Sequence, residues 1–200
     1  MEKQANKVQF GLKNVHVFPV KADNGEKLEY DVPFRLRGGV TVSLEPAGEI
    51  NAFYADDIDF YDAISNQGYT GKLTVALITD EFREKILGDK YDDNGLLVES
   101  TDNRQTNFGM AFEFNGDVSA TRHVLYNVSA TRPTIEGNTQ EDKTDPDTNE
   151  LEFTAAPDPY THYAKAKTTT KTTQKAFDEW YTTIQTPVFS GAGTPPAPKA

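Results

Sequence analysis

Carboxylates two residues apart can share a divalent ion, as some sugar-nucleotide enzymes do, and the chain carries two such pairs, Asp57-Ile-Asp59 and Asp145-Pro-Asp147. With 31 acids among 200 residues, spacings of this kind arise freely by chance. Asp89 to Gly95 has the composition of a calcium loop. Registering Gly95 at the sixth position, however, puts Lys90 where the first acid must stand and Thr101 where the bidentate Glu must stand, so the stretch reads as a polar turn. Gly68-Tyr69-Thr70-Gly71-Lys72-Leu73 has the ingredients of a phosphate loop, but with the wrong glycine spacing and Leu in place of the magnesium-binding hydroxyl. His16, His123 and His162 are far apart, fit no metal-ligand spacing and read as surface or pocket-edge residues. There is no GxSxG elbow, and Asn127-Val128-Ser129 is a glycosylation sequon only in a secreted chain. Nothing here assembles a nucleophile, a base and an orienting group. The sequence therefore predicts no catalytic residue, no metal ligand and no cofactor.

Composition narrows the remaining functions. Two hundred residues suit one domain with an ordinary core, and 12 Phe and 9 Tyr argue against general disorder despite a mean hydropathy of -0.63. The absence of Cys excludes disulfides and thiolate chemistry. A net charge of -11 disfavours binding to nucleic acid through a basic groove, or to an anionic membrane. The start, MEKQANKVQFGLK, lacks the apolar run of a signal peptide, and no segment approaches the ~18 apolar residues of a membrane span, so a cytosolic site of synthesis is expected.

The negative charge is segregated. Residues 45–62 hold Glu45, Glu49, Asp56, Asp57, Asp59 and Asp62 with no base, a net of -6. Residues 89–102 and 137–150 each carry -4, so the three windows total -14 and the rest of the chain is +3. Such segregation creates a directional field. Lys165, Lys167, Lys171 and Lys175 form the opposite feature, +4 with no acid between Tyr163 and Ala176.

The elements that must position these groups are mostly strands. Val8, Phe10 and Leu12 alternate, then Val15 and Val17 after a register change around Lys13 and Asn14. Val40, Val42 and Leu44, then Leu73, Val75 and Leu77, then Phe108, Met110, Phe112 and Phe114 follow the same period. Val124, Tyr126, Val128 and Ala130, and finally Leu151, Phe153 and Ala155, complete a β-rich pattern. Parity favours a three-residue loop Asn115-Gly116-Asp117, which would oppose Phe112 to Ala120 and Phe108 to Val124 so that both apolar faces align. Thr79 is expected to cap a short helix ending at Gly88, and Phe177, Trp180, Tyr181 and Ile184 mark one stripe of a second. Residues 88–105 and 137–149 are long polar connections of the kind that are disordered, functional or ordered by a neighbouring chain. Ser-Ala-Thr-Arg occurs at 119–122 and again at 129–132.

In order along the chain, KVQFGLKNVHVFPV, GGVTVSLEPAGEINAFYADDIDFYDAISNQGYTGKLTVALITDEFREKILG, RHVLYNVSATRPTIEG and AKAKTTT before the EWY helix resemble the major tail protein of long, non-contractile-tailed phages of Gram-positive bacteria. The likeness runs from about Lys7 to Tyr181 and rests on segment order rather than on one diagnostic motif. It implies a mainly β tail-tube fold, a β-sandwich or barrel-like core with one or two short flanking helices. The Pro, Gly and Ala punctuation near the end carries too little apolar surface to fold, so a tube domain over 1–186 and a flexible tail over 187–200 are expected. The resemblance also implies self-assembly into stacked hexameric rings around a tape-measure protein, tail tip and tail terminator proteins as further partners, and DNA passing through the lumen unbound. The location implied is the virion tail, with host cytoplasm during assembly. Exposed strand edges would supply pairing groups for a head-to-tail contact. An acidic lining would repel phosphate, which makes Asp56, Asp57 and Asp59 the candidate lumen-facing residues. Two other classes compete: a carbohydrate-binding β-sandwich, which needs exposed aromatics, and an acidic hydrolase using the DxD carboxylates, which needs a metal and a pocket.

Overall fold

Alternating apolar residues form strands wherever Gly, Asn or Asp lets the chain reverse, and the computed structural model follows this rule along most of its length. It describes residues 5–48, 50–55, 58–134 and 147–189, with the backbone alone for 50–55 and 58–64. The first half contains β1 (Gln9–Asp23), β2 (Leu28–Tyr30), β3 (Phe34–Arg35), β4 (Gly39–Pro46), β5 (Ile50–Ala55), β6 (Ile58–Ile64) and β7 (Tyr69–Val75). Helix α1 (Asp80–Phe82) continues into a π-helical turn, Arg83–Leu87. Then come β8 (Lys90–Tyr91), β9 (Leu97–Val98), β10 (Phe108–Gly116), β11 (Thr121–Ala130), β12 (Asn149–Ala156), β13 (Lys165–Lys167) and α2 (Gln174–Asp178), which ends in a 3-10 turn at Glu179–Tyr181.

The main sheet runs β2-β1-β10-β11-β12-β7-β4, with β3 beside β1 and β13 beside β11. β12 and β13 lie end to end along one side of β11, β13 against His123–Leu125 and β12 against Asn127–Ala130. The sheet curls until β4 meets β1: a Cβ on Gly39 would lie 3.2 Å from both Leu12 and Val15. The result is a mainly β, barrel-like core flanked by two short helical segments. β5 and β6 pair only with each other among the described residues, on the chain between β4 and β7.

Two apolar layers sandwich the middle of the sheet. Phe108, Met110 and Phe112 point into the larger core with Val15, Phe34, Leu73, Phe82 and Ile86. On the other side Ala111, Val124 and Tyr126 pack with Phe18 and Trp180, and with Ile184 beyond the 3-10 turn. The 177/180/181/184 stripe thus does cover the sheet, although the helix is shorter than its period implied.

This double coverage overturns the expected β10–β11 register. Phe112 opposes His123, and Phe114 opposes Thr121 across residues 117–120. The parity argument assumed one wet face, but β10 is buried on both faces from Phe108 to Glu113, so apolar parity no longer selects a register. A bulge between Phe108 and Met110 then shifts the ladder so that Phe108 opposes Val128. Val124, Tyr126, Val128 and Ala130 therefore do not share one face: the first two face α2, the last two face the larger core.

Local signals hold elsewhere. The register shift in β1 falls between Lys13 and His16, where Asn14 takes φ 52°. The Thr79 hydroxyl accepts from Phe82 N at 3.3 Å, and Gly88 closes the π turn at φ 80°. Thr79→Ala is expected to cost about 1 kcal/mol, seen as a lower urea midpoint with unchanged slope. The phosphate-loop glycines serve packing instead: a Cβ on Gly68 would sit 2.1 Å from the Ala155 carbonyl oxygen, and one on Gly71 2.6 Å from the Phe153 ring.

Candidate functional site

Each arginine of the repeated Ser-Ala-Thr-Arg holds a buried acid. Glu113 is the lone acid of β10, facing the α2 side opposite the Phe row, and it accepts from Arg122 Nε at 3.1 Å, Asn14 Nδ2 at 2.7 Å and the Tyr181 hydroxyl at 2.9 Å. The Arg122 guanidinium lies 3.7 Å from the Phe177 ring centre and 4.8 Å from that of Tyr181, and it donates to the Phe177 carbonyl. Burial, then the Glu113 charge, pushes the Tyr181 hydroxyl above the usual tyrosine range. His16 stacks on Tyr181 at 4.4 Å. Every oxygen of the carboxylate is engaged, and the cluster clamps α2 to the sheet.

The second arginine secures a loop. Arg132 Nη1 lies 3.0 Å from buried Asp89 and 2.9 Å from Glu99, tying both ends of residues 89–99 to the end of β11. Within that loop β8 and β9 form a hairpin. Asp92 accepts from Leu96 N at 2.7 Å and from Asn94 N at 2.9 Å. These bonds, the Leu96 one foremost, hold its carboxyl below the usual range. The supposed calcium loop is therefore a polar turn whose acids serve the fold.

His123 corrects the expectation of a surface histidine. Its ring is stacked on Phe112 at 5.3 Å and meets Phe114 edge-on, and both nitrogens are buried without a hydrogen-bond partner. Burial, with Lys165 and Lys167 nearby, lowers its pKa to about 4, so the ring is neutral at pH 7. His16 is lowered too, chiefly by burial. His162 is exposed, at φ 58°.

Of the acids singled out from the sequence, Asp59 lies in β6 opposite Tyr54. Asp56 and Asp57, like Asp145 and most of the 137–149 connection, fall outside the described residues. Each DxD pair thus has one member outside the described residues. Among the described residues no three His, Cys, Asp or Glu groups converge as a metal site, and no helix is long and apolar enough to cross a membrane. Phe18, Phe82, Phe108, Phe112 and Trp180 are all at most 5% exposed, whereas Phe10 and Tyr91 lie on the surface at 56 and 49%. The outward face of β4, β7 and β12 is polar, with Glu45 exposed and Lys72 bridging Glu150 and Glu152 at 2.8 and 2.9 Å. β4 ends the hydrogen-bonded order; its Gly39 end packs against β1, and β4 pairs with no strand but β7 among the described residues.

Residues 2–187 match the family model described as phage tail tube protein. The chain belongs to the phage tail tube protein family. A search of curated proteins finds no match. Among solved structures, a chain from the cryo-EM structure of the anti-feeding prophage baseplate, 6-fold symmetrised, is similar at 12% identity, covering 84% of this chain and 99% of that one, with a TM-score of 0.47. As a tail tube family member the protein is a structural component of a phage tail, and the clamp, the secured loop and the open edge are features of a building block. The Arg132–Asp89 pair was not legible in the sequence because the two residues lie 43 apart. For the α2 side the available signal was Gly109 and Ala111 on the odd face of β10, small residues that leave room for covering side chains.

Proposed function

We propose that the protein polymerises into stacked hexameric rings that form the tube of a long, non-contractile phage tail. In this reading it assembles in host cytoplasm around a tape-measure protein, between tail tip and tail terminator proteins, and the finished tube conducts DNA into a host cell. The match of nearly the whole chain to the tail tube family carries the reading. Support comes from the unpaired β4 edge, from apolar side chains left exposed on Val40, Leu96 and Val118, and from a net charge of -11. An acidic bore repels phosphate and releases no counterions, so DNA slides past it. Asp56, Asp57 and Asp59 are proposed to face that bore.

Negative-stain microscopy of the concentrated protein is expected to show rings or tubes of uniform bore; a persistent monomer under all assembly conditions would remove the reading. In a reconstituted phage, reversing the charge of Asp56, Asp57 and Asp59 to Lys is expected to leave tubes intact and slow DNA ejection at least tenfold. Unchanged ejection kinetics would take these residues out of the lumen.

A further inference from the structure

Arg122 and Arg132 stand at opposite ends of β11, which stays extended as far as Thr131, whose N–H donates to Glu152 O at 2.9 Å. Ten residues of largely extended chain separate them by about 33 Å. Different, complementary surfaces occupy the two ends.

At the Arg132 end the β8–β9 hairpin pairs with no other strand among the described residues and exposes Tyr91, Leu96 and Val98 at 49, 62 and 46%. A two-stranded hairpin is marginal by itself, so this one depends on the Asp89–Arg132–Glu99 anchor. Asp93 and Asp102 are exposed beside it. At the Arg122 end an open groove of about 600 Å³ runs between the N-terminal segment, the β10–β11 turn and the approach to α2. Val118 and Phe177 supply its apolar lining, and Lys167 lies in its wall. Lys171 and Lys175 stand in the chain between its lining residues Thr170, Thr172, Gln174 and Phe177, and all three lysines are exposed and make no ion pair among the described residues. Of the acids nearby in sequence, Asp117 accepts from Lys7 N–H and Asp178 from the Gln174 amide.

We infer that the β8–β9 hairpin of one copy seats in the lysine-flanked groove of a second copy, Leu96 and Val98 against the apolar lining, Asp93 and Asp102 facing Lys167, Lys171 and Lys175. Two different patches on one chain make a heterologous contact, which propagates into a closed ring or an open stack. Charge complementarity steers the encounter and makes it sensitive to salt. The inference rests on the reading of the chain as a self-assembling tail protein and names the surfaces that meet.

The chain has no cysteine, so Asp93→Cys and Lys171→Cys each introduce a sole thiol. Mixed at equal concentration under mild oxidation, the two variants are expected to give the mixed dimer in at least tenfold excess over either homodimer. Homodimers as abundant as the mixed species, or no cross-link, would overturn the contact. Independently, Asp93→Lys with Asp102→Lys, and Lys167→Glu with Lys171→Glu and Lys175→Glu, should each raise the concentration needed for association at least tenfold. Both sets in one chain should restore association; failure of that rescue counts against the contact. Tubes from the wild-type chain without the mixed cross-link sink the contact and leave the tube reading standing. The cross-link without tubes does the reverse.

Discussion

Replacing Arg122 by Met lowers the stability of the subunit by about 3 kcal/mol, because it leaves the Glu113 charge buried with its cation gone. The Glu113 side chain is 8% exposed, and Asn14 and Tyr181 donate to it without neutralising it. The variant also loses the bond to the Phe177 carbonyl and the two ring contacts that hold α2. In a chain of this length the melting temperature falls by about 6–12 °C. The single Trp reports the event directly: Trp180 is 5% exposed, packed in the smaller cluster, so release of α2 shifts its fluorescence to longer wavelength. Glu113→Gln in the Arg122→Met background should recover part of the loss, with a coupling energy above about 1 kcal/mol. Unshifted Trp180 emission with a stability change below about 1 kcal/mol would show that the clamp does not hold the helix.

Acid weakens the subunit through His123. The ring's pKa is about 4 when folded and near 6.5 when the chain is unfolded. Below pH 6.5 the unfolded state takes up a proton that the folded state refuses, so stability falls as pH drops from about 6.5 towards 4 and is intact above that window. The gap corresponds to about 3 kcal/mol, which solvent screening at a partly exposed ring trims to roughly 2 kcal/mol. His16, lowered for the same reason, adds to the loss with the same sign. His123→Phe keeps the stack on Phe112 and removes the titrating group. Urea unfolding at pH 7 and at pH 4.5 should show the difference between wild type and variant widening by roughly 2 kcal/mol at the lower pH. Parallel pH profiles would assign the acid sensitivity to other groups.

How far the sequence could be read depends on whether a signal is local. Period-two runs at Leu73–Val75 and Leu151–Ala155 become strands, because alternation follows directly from the pleat. Thr79 and Gly88 mark the ends of their helical segment, because capping is decided within a few residues. The β10–β11 register escaped because both faces of β10 are covered, one of them by a helix some 60 residues later in the chain. β5 and most of β6 fall in the acidic window 45–62, where charge masks alternation. Of the assembly features, the unpaired lysines were visible as a run without acids. The groove beside them was not, since it is made by the N-terminal segment, the β10–β11 turn and the approach to α2 meeting in space.

The placement of β11 also has a mechanical side. It lies between β10 on one flank and the end-to-end pair β12 and β13 on the other, held by antiparallel hydrogen bonds that run across its length. A pull applied between the Arg122 and Arg132 ends therefore loads these bonds in shear, so that many must yield together instead of peeling one after another. A filament joined through those ends would stretch little before its subunits failed, a useful property for a tail.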